Sequence, residues 1–194
     1  IGIIGQGFVG SAIRATLSNF YTVNTYDIDS SKCNSTHKEV CTDSEVIFLC
    51  LPTPMRKDGS CDIRILESAI DKSYKIIKDT NLTPAHSDFL KSQKPKKTFI
   101  IKSTVPPGTT ESLAKKYPRI NLCFSPEFLT EANSFEDFKN QSRIIIGGEG
   151  AKVVKQMFRK PFPRIPIIVT KSETAEMVKY FTNCFLATKV TFAN

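Results

Sequence analysis

The sequence predicts an α/β fold in which helices flank a doubly wound, mainly parallel sheet and a long helix closes the chain. Short apolar runs rich in Ile, Val, Phe or Thr alternate with stretches of 3.6-residue periodicity. A glycine-rich turn joins the first apolar run to the first periodic stretch. The composition is that of a globular protein, because 40% of the residues are hydrophobic and 24% are charged.

Seven apolar runs are too short for helices and are predicted as strands. These runs cover residues 1–5, 22–28, 46–52, 98–105, 121–125, 143–147 and 164–170. Helical periodicity is found at residues 9–18, 62–78, 108–116 and 151–158. Near the end of the chain, Ser172 is a predicted N-cap, and residues 173–192 contain neither Gly nor Pro. We therefore expect one domain over residues 1–170, followed at 171–194 by the start of a longer helix.

Two connections look irregular. Only 18 residues separate Asp27 from Val46, which predicts a short crossover connection between the second and third strands. Residues 79–97 contain Pro84, Pro95 and many polar residues, and are predicted to form a surface insertion. The two histidines, His37 and His86, lie in polar loop-like surroundings and are expected at the surface.

The overall charge suggests an anionic partner, because the formal net charge is +8. The densest basic stretch, residues 91–97, contains no aromatic side chains that could stack on bases, so we expect nucleotide phosphates as partners and no nucleic acid. No apolar run approaches the roughly 20 residues of a membrane helix, and the opening residues lack a starting Met and a signal peptide. These features predict a cytoplasmic protein that does not span a membrane.

The six cysteines form no C-x-x-C pair, and Cys50 and Cys123 lie in apolar runs where a buried thiol is usual. We therefore expect free thiols, and we predict no metal site.

Residues Gly5-Gln6-Gly7-Phe8-Val9-Gly10 form a G-x-G-x-x-G pattern between a predicted strand and a predicted helix. Asp27 follows seventeen residues after the last glycine, at the end of the next strand, which completes the fingerprint of a Rossmann-type dinucleotide site. The glycines allow a tight turn, close approach to a pyrophosphate and close helix packing, and the helix N-terminus is partly positive. Because the Asp27 carboxylate would bind the ribose hydroxyls and repel a 2′-phosphate, the predicted cofactor is NAD and not NADP.

Hydroxyl side chains follow two further strands, with Thr53 after the third and Ser103 and Thr104 after the fourth. At the carboxyl edge of a parallel sheet they could contact a cofactor or hold a substrate oxygen. Simple turn formation and capping explain them equally well.

Two pairs of charged or polar residues are spaced by one helical turn. Ser125 is a predicted N-cap with Pro126 at the first helical position, which places Glu127 and Glu131 on one face. These carboxylates could do acid–base work or merely offset the helix dipole. In the same way Lys179 and Asn183 project together from the last helix, as part of a site or of a solvated stripe.

Four motifs taken in order resemble the UDP-glucose/GDP-mannose dehydrogenase family of nucleotide-sugar 6-dehydrogenases. They are the glycine fingerprint, Lys-Ser-Thr-Val-Pro-Pro-Gly at 102–108, Ser-Pro-Glu-Phe-Leu-Thr-Glu at 125–131, and Glu-x-x-Lys-x-x-x-Asn at 176–183. The resemblance implies oxidation of a sugar C6 alcohol to a carboxylate by two NAD, through a thioester on a catalytic Cys. It covers the family's NAD domain and the start of a central helix that forms dimers, so the implied partners are a sugar nucleotide such as UDP-glucose or GDP-mannose and, in the full-length form, a second copy.

The resemblance assigns roles position by position. Cofactor contacts fall to Gly5, Gln6, Gly7, Phe8, Val9, Gly10, Asp27, Lys32, Thr53, Ser103, Thr104 and Glu131. Substrate contacts fall to Glu127, Phe128, Leu129, Thr130, Lys179 and Asn183. Catalysis is assigned to Thr104 and Glu127, which would orient water and assist proton transfer, and to Lys179 and Asn183, which would stabilise negative charge on the substrate oxygen.

The chain also departs from the family pattern. The family's nucleophilic Cys and its companion Asp lie downstream of the central helix, and Cys184, which we expect to be a packing residue, is no substitute. Residues 30–44 are expected to lack the family's helical insertion, and residues 79–97 look expanded. Two alternatives remain open: a relative of the β-hydroxyacid dehydrogenases, and a nucleotide-binding module without catalysis.

Overall fold

The fold was obtained as a computed structural model that describes residues 1–80 and 96–194. Seven strands form one sheet in the order β2-β1-β3-β4-β5-β6-β7, and every neighbouring pair is parallel except β5 and β6. The strands are β1 (Gly2–Ile4), β2 (Asn24–Tyr26), β3 (Val46–Leu49), β4 (Thr98–Ile101), β5 (Asn121–Phe124), β6 (Ile144–Gly148) and β7 (Ile167–Thr170). Each lies within or overlaps its predicted run, so the prediction of a mainly parallel sheet is confirmed.

Seven α-helices are present in the described residues. They are α1 (Phe8–Leu17), α2 (His37–Asp43), α3 (Arg64–Thr80), α4 (Thr109–Lys116), α5 (Ser134–Lys139), α6 (Ala151–Arg159) and α7 (Ser172–Ala193), and a 3₁₀ turn lies at Ser30–Lys32. The predicted long last helix is therefore confirmed. The predicted surface insertion at 79–97 lies mostly outside the described residues, as does His86.

The core consists of two layers, one on each face of the sheet. Side chains alternate along each strand, so that Ile3 packs on one face while Ile4 packs on the other. One face is covered by α1, α5 and α6, and the other by α2, α3 and α4. Because β2 and β3 flank β1 on opposite sides, the order in which successive strands join the sheet reverses at β1. The carboxyl ends of β1 and β3 therefore form the crevice where such sheets bind ligands.

Four expectations about local structure were wrong. Residues 30–44 do contain a helix, α2, which a capping box of Thr36 and Glu39 starts. His37 is accordingly not a surface loop residue: it is half-buried, its ring stacks on Tyr26 with centroids 4.8 Å apart, and its Nε2 lies 2.9 Å from the Ser73 hydroxyl oxygen. Seven residues are too few for a helical period to be visible in the sequence.

The second wrong expectation concerns residues 126–131, which form no helix. The Glu127 carboxylate accepts a hydrogen bond from the Leu129 N–H at 2.8 Å, and this local bond competes with helical pairing. The third concerns Cys184, which is exposed on α7 and not packed in the core. The fourth concerns Ser172, which is the first residue of α7 and not its N-cap, a position that Lys171 occupies.

All six cysteines are free thiols, as expected. Among the described residues no helix is both long and apolar enough to cross a membrane.

Candidate cofactor and substrate site

The turn between β1 and α1 needs two of its three glycines for folding. Gly5 has a φ of +96°, and a Cβ there would lie 2.2 Å from the carbonyl oxygen of Cys50. A Cβ on Gly10 would lie 2.0 Å from the carbonyl oxygen of Gly5, so α1 can approach β1 only because position 10 carries no side chain.

Gly7 differs from these two positions, because a Cβ there would meet no atom within 4 Å. It is the N-cap of α1 and provides no side-chain cap, which leaves the N–H groups of the first turn open to an external acceptor. Phe8 and Val9 begin the helix beside this space, with Phe8 exposed and Val9 half-buried. Gln6 is buried, and its side-chain amide donates to the Gly5 carbonyl at 3.2 Å. The geometry fits an anion bound at the N-terminus of α1.

Asp27 follows β2 and lies against the same turn. Its Oδ2 accepts a hydrogen bond from the Gln6 N–H at 2.6 Å, and its Oδ1 accepts one from the Asp29 N–H at 2.9 Å. A carboxylate has about four acceptor positions, so both oxygens can still bind ribose hydroxyls. Lys32 forms an ion pair with Asp29 at 3.3 Å and is exposed just beyond Asp27.

The hydroxyl groups at the ends of β3 and β4 hold the two strand-end loops together. The Ser103 Oγ accepts from the Leu51 N–H at 3.0 Å, and the Thr53 Oγ1 donates to the Thr104 carbonyl at 2.7 Å. These bonds give Thr53 and Ser103 a structural role at the predicted edge. They also place both residues, with Thr104, beside the crevice.

Glu127 and Lys179 form a nearly buried ion pair between the loop after β5 and helix α7. The Lys179 Nζ lies 2.7 Å from the Glu127 Oε1 and donates to the Glu127 carbonyl oxygen, also at 2.7 Å. Their side chains are only 11% and 9% exposed. Residues 52 positions apart in sequence, each assigned to catalysis, are therefore in direct contact.

Three other residues predicted for this part of the site, Glu131, Asn183 and Thr130, are exposed and are not part of the buried ion pair. Because residues 126–131 are not helical, Glu131 does not share a helix face with Glu127, and it is exposed. Asn183 is also exposed, one turn beyond Lys179 on α7. Thr130 is exposed, and both its N–H and its hydroxyl donate to the Asp137 Oδ2, at 2.8 and 2.6 Å.

A cavity of about 360 Å³ lies beside the ion pair, between the loop after β5 and the segment around α5. Phe128 and Leu129 line it, and the Arg143 guanidinium lies 5.5 Å from the centre of the Phe128 ring. The Lys179 ammonium approaches the same ring at 5.7 Å. Phe128 thus gives the cavity an apolar wall that contacts two cations, and the charged side chains of the lining carry both signs: Lys102, Arg143, Glu127, Glu136 and Asp137.

Sequence reasoning missed Lys102, which also lines this cavity. It is 6% exposed, and its Nζ donates to the Pro126 carbonyl at 3.2 Å. Burial lowers the pKa of Lys102 to about 8, and the nearby Glu127 carboxylate opposes that effect. Strand alternation could have found it, because Lys102 lies two positions after the buried Ile100 and so on the same face.

The cysteines near this site are not activated. Burial raises the pKa of Cys50 and of Cys123 to about 12 in each case. Neither thiol is therefore a nucleophile near neutral pH. Among the described residues there is also no group of three His, Cys, Asp or Glu that could hold a metal ion.

Comparison with known proteins agrees with this geometry. Residues 32–162 match the model of the UDP-glucose/GDP-mannose dehydrogenase family, NAD binding domain. An uncharacterised protein of Methanocaldococcus jannaschii is 33% identical over 100% of this chain and 24% of its own length. A UDP-glucose 6-dehydrogenase of Rickettsia bellii is 32% identical over 94% of this chain and 40% of its own length.

Among solved structures, a UDP-glucose dehydrogenase from the archaeon Pyrobaculum islandicum superposes with a TM-score of 0.80 at 25% identity, covering 100% of this chain and 51% of that one. The chain thus spans about half the length of these relatives or less. The glycine turn, the open N-terminus of α1 and Asp27 fit a dinucleotide, and NAD is the cofactor they indicate. The chain belongs to the UDP-glucose/GDP-mannose dehydrogenase family, of which it is an NAD-binding domain.

Proposed function

We propose that this chain is the NAD-binding portion of a nucleotide-sugar 6-dehydrogenase, which oxidises the C6 alcohol of a UDP- or GDP-sugar to the uronic acid with two NAD. The observation that carries the proposal is the contact between Lys179 and Glu127 beside the cavity at the carboxyl edge of the sheet. A buried cation at that place suits negative charge on a reacting oxygen.

The cofactor would be held at the opposite part of the same edge. The first turn of α1 would bind the pyrophosphate, and Asp27 would bind the adenosine ribose. Lys32, Thr53, Ser103, Thr104 and Glu131 would line the remainder of the cofactor. NAD, when bound, supplies the hydride acceptor.

The chain's own groups would prepare the alcohol for oxidation. An ammonium group has three donors, and Glu127 accepts two of those of Lys179, which leaves one for a substrate oxygen. Because Lys179 is nearly buried, its charge is weakly screened and acts strongly on that oxygen. Glu127 would hold a water or receive a proton, with Thr104 assisting, and Asn183 would add a second donor to the same oxygen.

The thioester step of this chemistry needs a reactive thiol. Cys50 and Cys123, which are close enough to Lys102 to interact with its charge, have raised pKa values and so do not supply one. We therefore propose that the 194-residue chain binds NAD without turning over a sugar nucleotide by itself. Residues 171–194 would be the beginning of a central helix that joins two subunits into a homodimer.

We also place the protein in the cytoplasm. Six free cysteines suit a reducing compartment, where thiols stay reduced.

Calorimetric titration tests the proposal. The chain is titrated with NAD and with NADP, and then with UDP-glucose and GDP-mannose at saturating NAD. We expect NAD to bind more tightly than NADP, and sugar nucleotides to bind weakly with no NADH formed. Absence of dinucleotide binding would refute the proposal, and steady NADH production from a small hydroxyacid would favour a β-hydroxyacid dehydrogenase instead.

A further inference from the structure

A second buried charge lies one helical turn before Lys179 on α7. Glu176 is fully buried, with 0% of its surface exposed. Its Oε2 accepts a hydrogen bond from the Gly108 N–H at 2.6 Å, and its Oε1 accepts from the N–H and the hydroxyl of Thr110, at 2.8 and 2.6 Å. The carboxylate therefore caps helix α4 from outside, although it is 66 residues away from Thr110 in sequence.

We infer that Glu176 is a positioning residue that sets the rotation and height of α7, so that Lys179 meets Glu127. The two side chains are three residues apart and project from the same side of the helix. Glu176 fixes α7 to the start of α4, while Lys179 contacts the loop after β5. One helix thus connects two loops at the carboxyl edge of the sheet.

The geometry leaves α7 little freedom while these bonds are made. A slip of one residue would move α7 by about 1.5 Å and turn it by about 100°. Such a slip would break all three bonds to Glu176 and carry the Lys179 ammonium away from the Glu127 carboxylate.

The start of α7 is pressed against the sheet as well. A Cβ on Gly147 would lie 2.4 Å from the Lys171 carbonyl oxygen, so β6 and the first turn of α7 are in close contact. This contact holds the helix near the sheet at its beginning. Glu176, further along, is the buried group that resists rotation about the helix axis.

Glu176 forms no hydrogen bond or ion pair with Lys179 or Glu127, so its effect on the ion pair is indirect. The inference rests on the proposed function in one respect: that function supplies the substrate oxygen that Lys179 would contact. The position of the ammonium itself is measurable without any ligand.

The test observes the Lys179 ammonium by NMR in the full chain with ¹⁵N-labelled lysine. An ammonium held by two acceptors exchanges its protons slowly and gives a cross-peak, which is assigned by its absence in Lys179→Arg. In Glu176→Gln the side-chain NH₂ group faces the backbone N–H of Gly108 or of Thr110 and cannot accept a hydrogen bond from it. We therefore expect the Lys179 cross-peak to weaken about fivefold or more. Glu173→Gln, the same change at an exposed position of α7, is the matched control and should keep the cross-peak.

A second variant guards against a simple loss of folding. Thr110→Val keeps the Glu176 carboxylate and removes only the hydroxyl donor, so it should weaken the same cross-peak to a smaller extent. An unchanged Lys179 cross-peak in both variants, with the circular dichroism of the wild type, would overturn the inference. NAD titration of the wild type is scored separately: failure to bind NAD would sink the proposed function, while the ammonium result would still decide the role of Glu176.

Discussion

At the scale of single residues, three charged groups behave differently because their surroundings differ. Asp27 is half-buried, and its hydrogen bonds from two backbone N–H groups orient its carboxyl group toward the glycine turn. Lys179 is nearly buried but paired with a carboxylate. Lys102 is buried and donates to a neutral carbonyl oxygen, and burial lowers its pKa to about 8.

The role of Asp27 is tested by Asp27→Ala. Loss of hydrogen bonds from ribose hydroxyls to a charged acceptor should weaken NAD binding by about 1–3 kcal/mol, as measured by calorimetry. Asp58→Ala is the control, because Asp58 is an exposed carboxylate that also accepts two hydrogen bonds, from Ser60. Asp27→Asn lacks the charge that repels a 2′-phosphate, so it should lower the ratio of NAD affinity to NADP affinity. Equal NAD affinity in the Asp27→Ala variant and the wild type would remove Asp27 from the site.

The lowered pKa of Lys102 makes a prediction about stability at alkaline pH. The ordinary pKa is 10.5, so between about pH 8 and 10.5 the unfolded chain binds the proton that the folded chain has lost. The contribution of Lys102 to stability must therefore rise with pH across this window, by at most about 1.4 kcal/mol per pH unit.

Urea unfolding of the wild type and Lys102→Met at several pH values measures this contribution, and the subtraction cancels the other groups that titrate there. From pH 8 upward, the free energy of unfolding of the wild type should rise relative to that of Lys102→Met. The difference between the wild type and Lys152→Met, a change at an exposed lysine, should show no such trend. A pH-independent difference between wild type and Lys102→Met would show that Lys102 keeps its ordinary pKa.

At the scale of elements, the β1–α1 turn uses one glycine for folding and another for binding. Gly10 is needed because α1 lies directly on the Gly5 carbonyl, whereas Gly7 borders open space at the N-terminus of α1. The two positions are three residues apart in the same motif, but the fold excludes a side chain only at position 10. Helix α7 shows a similar division, since Ala175, Glu176 and Lys179 are buried while the residues after Thr182 are exposed.

Two alanine substitutions in this turn should therefore have opposite effects. Gly10→Ala should lower the free energy of unfolding by about 1–3 kcal/mol or more, because its methyl group overlaps the Gly5 carbonyl. Gly7→Ala should change it by less than about 0.5 kcal/mol, yet weaken NAD binding about tenfold or more, because its methyl group occupies the space of the pyrophosphate. Urea unfolding and calorimetry measure the two quantities. Full NAD affinity in Gly7→Ala would place the pyrophosphate elsewhere.

At the scale of the whole molecule, α7 leaves an apolar face uncovered. Met177, Phe181 and Phe185 are spaced by one turn on the side opposite the buried residues, with exposed fractions of 51%, 70% and 59%. Together with Phe192 they form a row of large side chains that a lone domain has no reason to expose. A second copy of the chain is the partner that the proposed function provides.

Sedimentation velocity over a range of concentrations tests this association. The wild type should show a monomer and a dimer in exchange, and Phe181→Glu combined with Phe185→Glu should be monomeric with unchanged NAD affinity. A control that introduces the same two charges at Ala187 and Thr191, on the flank of α7, should still form dimers. A wild type that stays monomeric at every concentration would exclude this face as a self-association surface for the 194-residue chain.

The sequence by itself determined the mainly parallel sheet and the cofactor. Apolar runs and glycine spacing are local patterns, so the strands, α1 and the place of Asp27 could be read from residues close together in the chain. The short helix α2 could not, because seven residues carry too little periodicity. The helix expected at 126–131 was also wrong, because Glu127 bonds the Leu129 N–H instead of sharing a helix face with Glu131.

Only the tertiary structure decided which charges meet. Lys179 and Glu127 are 52 positions apart, and Glu176 caps a helix 66 positions before it, so no local pattern contains either contact. The burial of Lys102 depends likewise on the loop that folds over it. Local sequence determines where helices and strands form, but the distance between two side chains, and therefore the pKa and pairing of each, depends on how those elements pack.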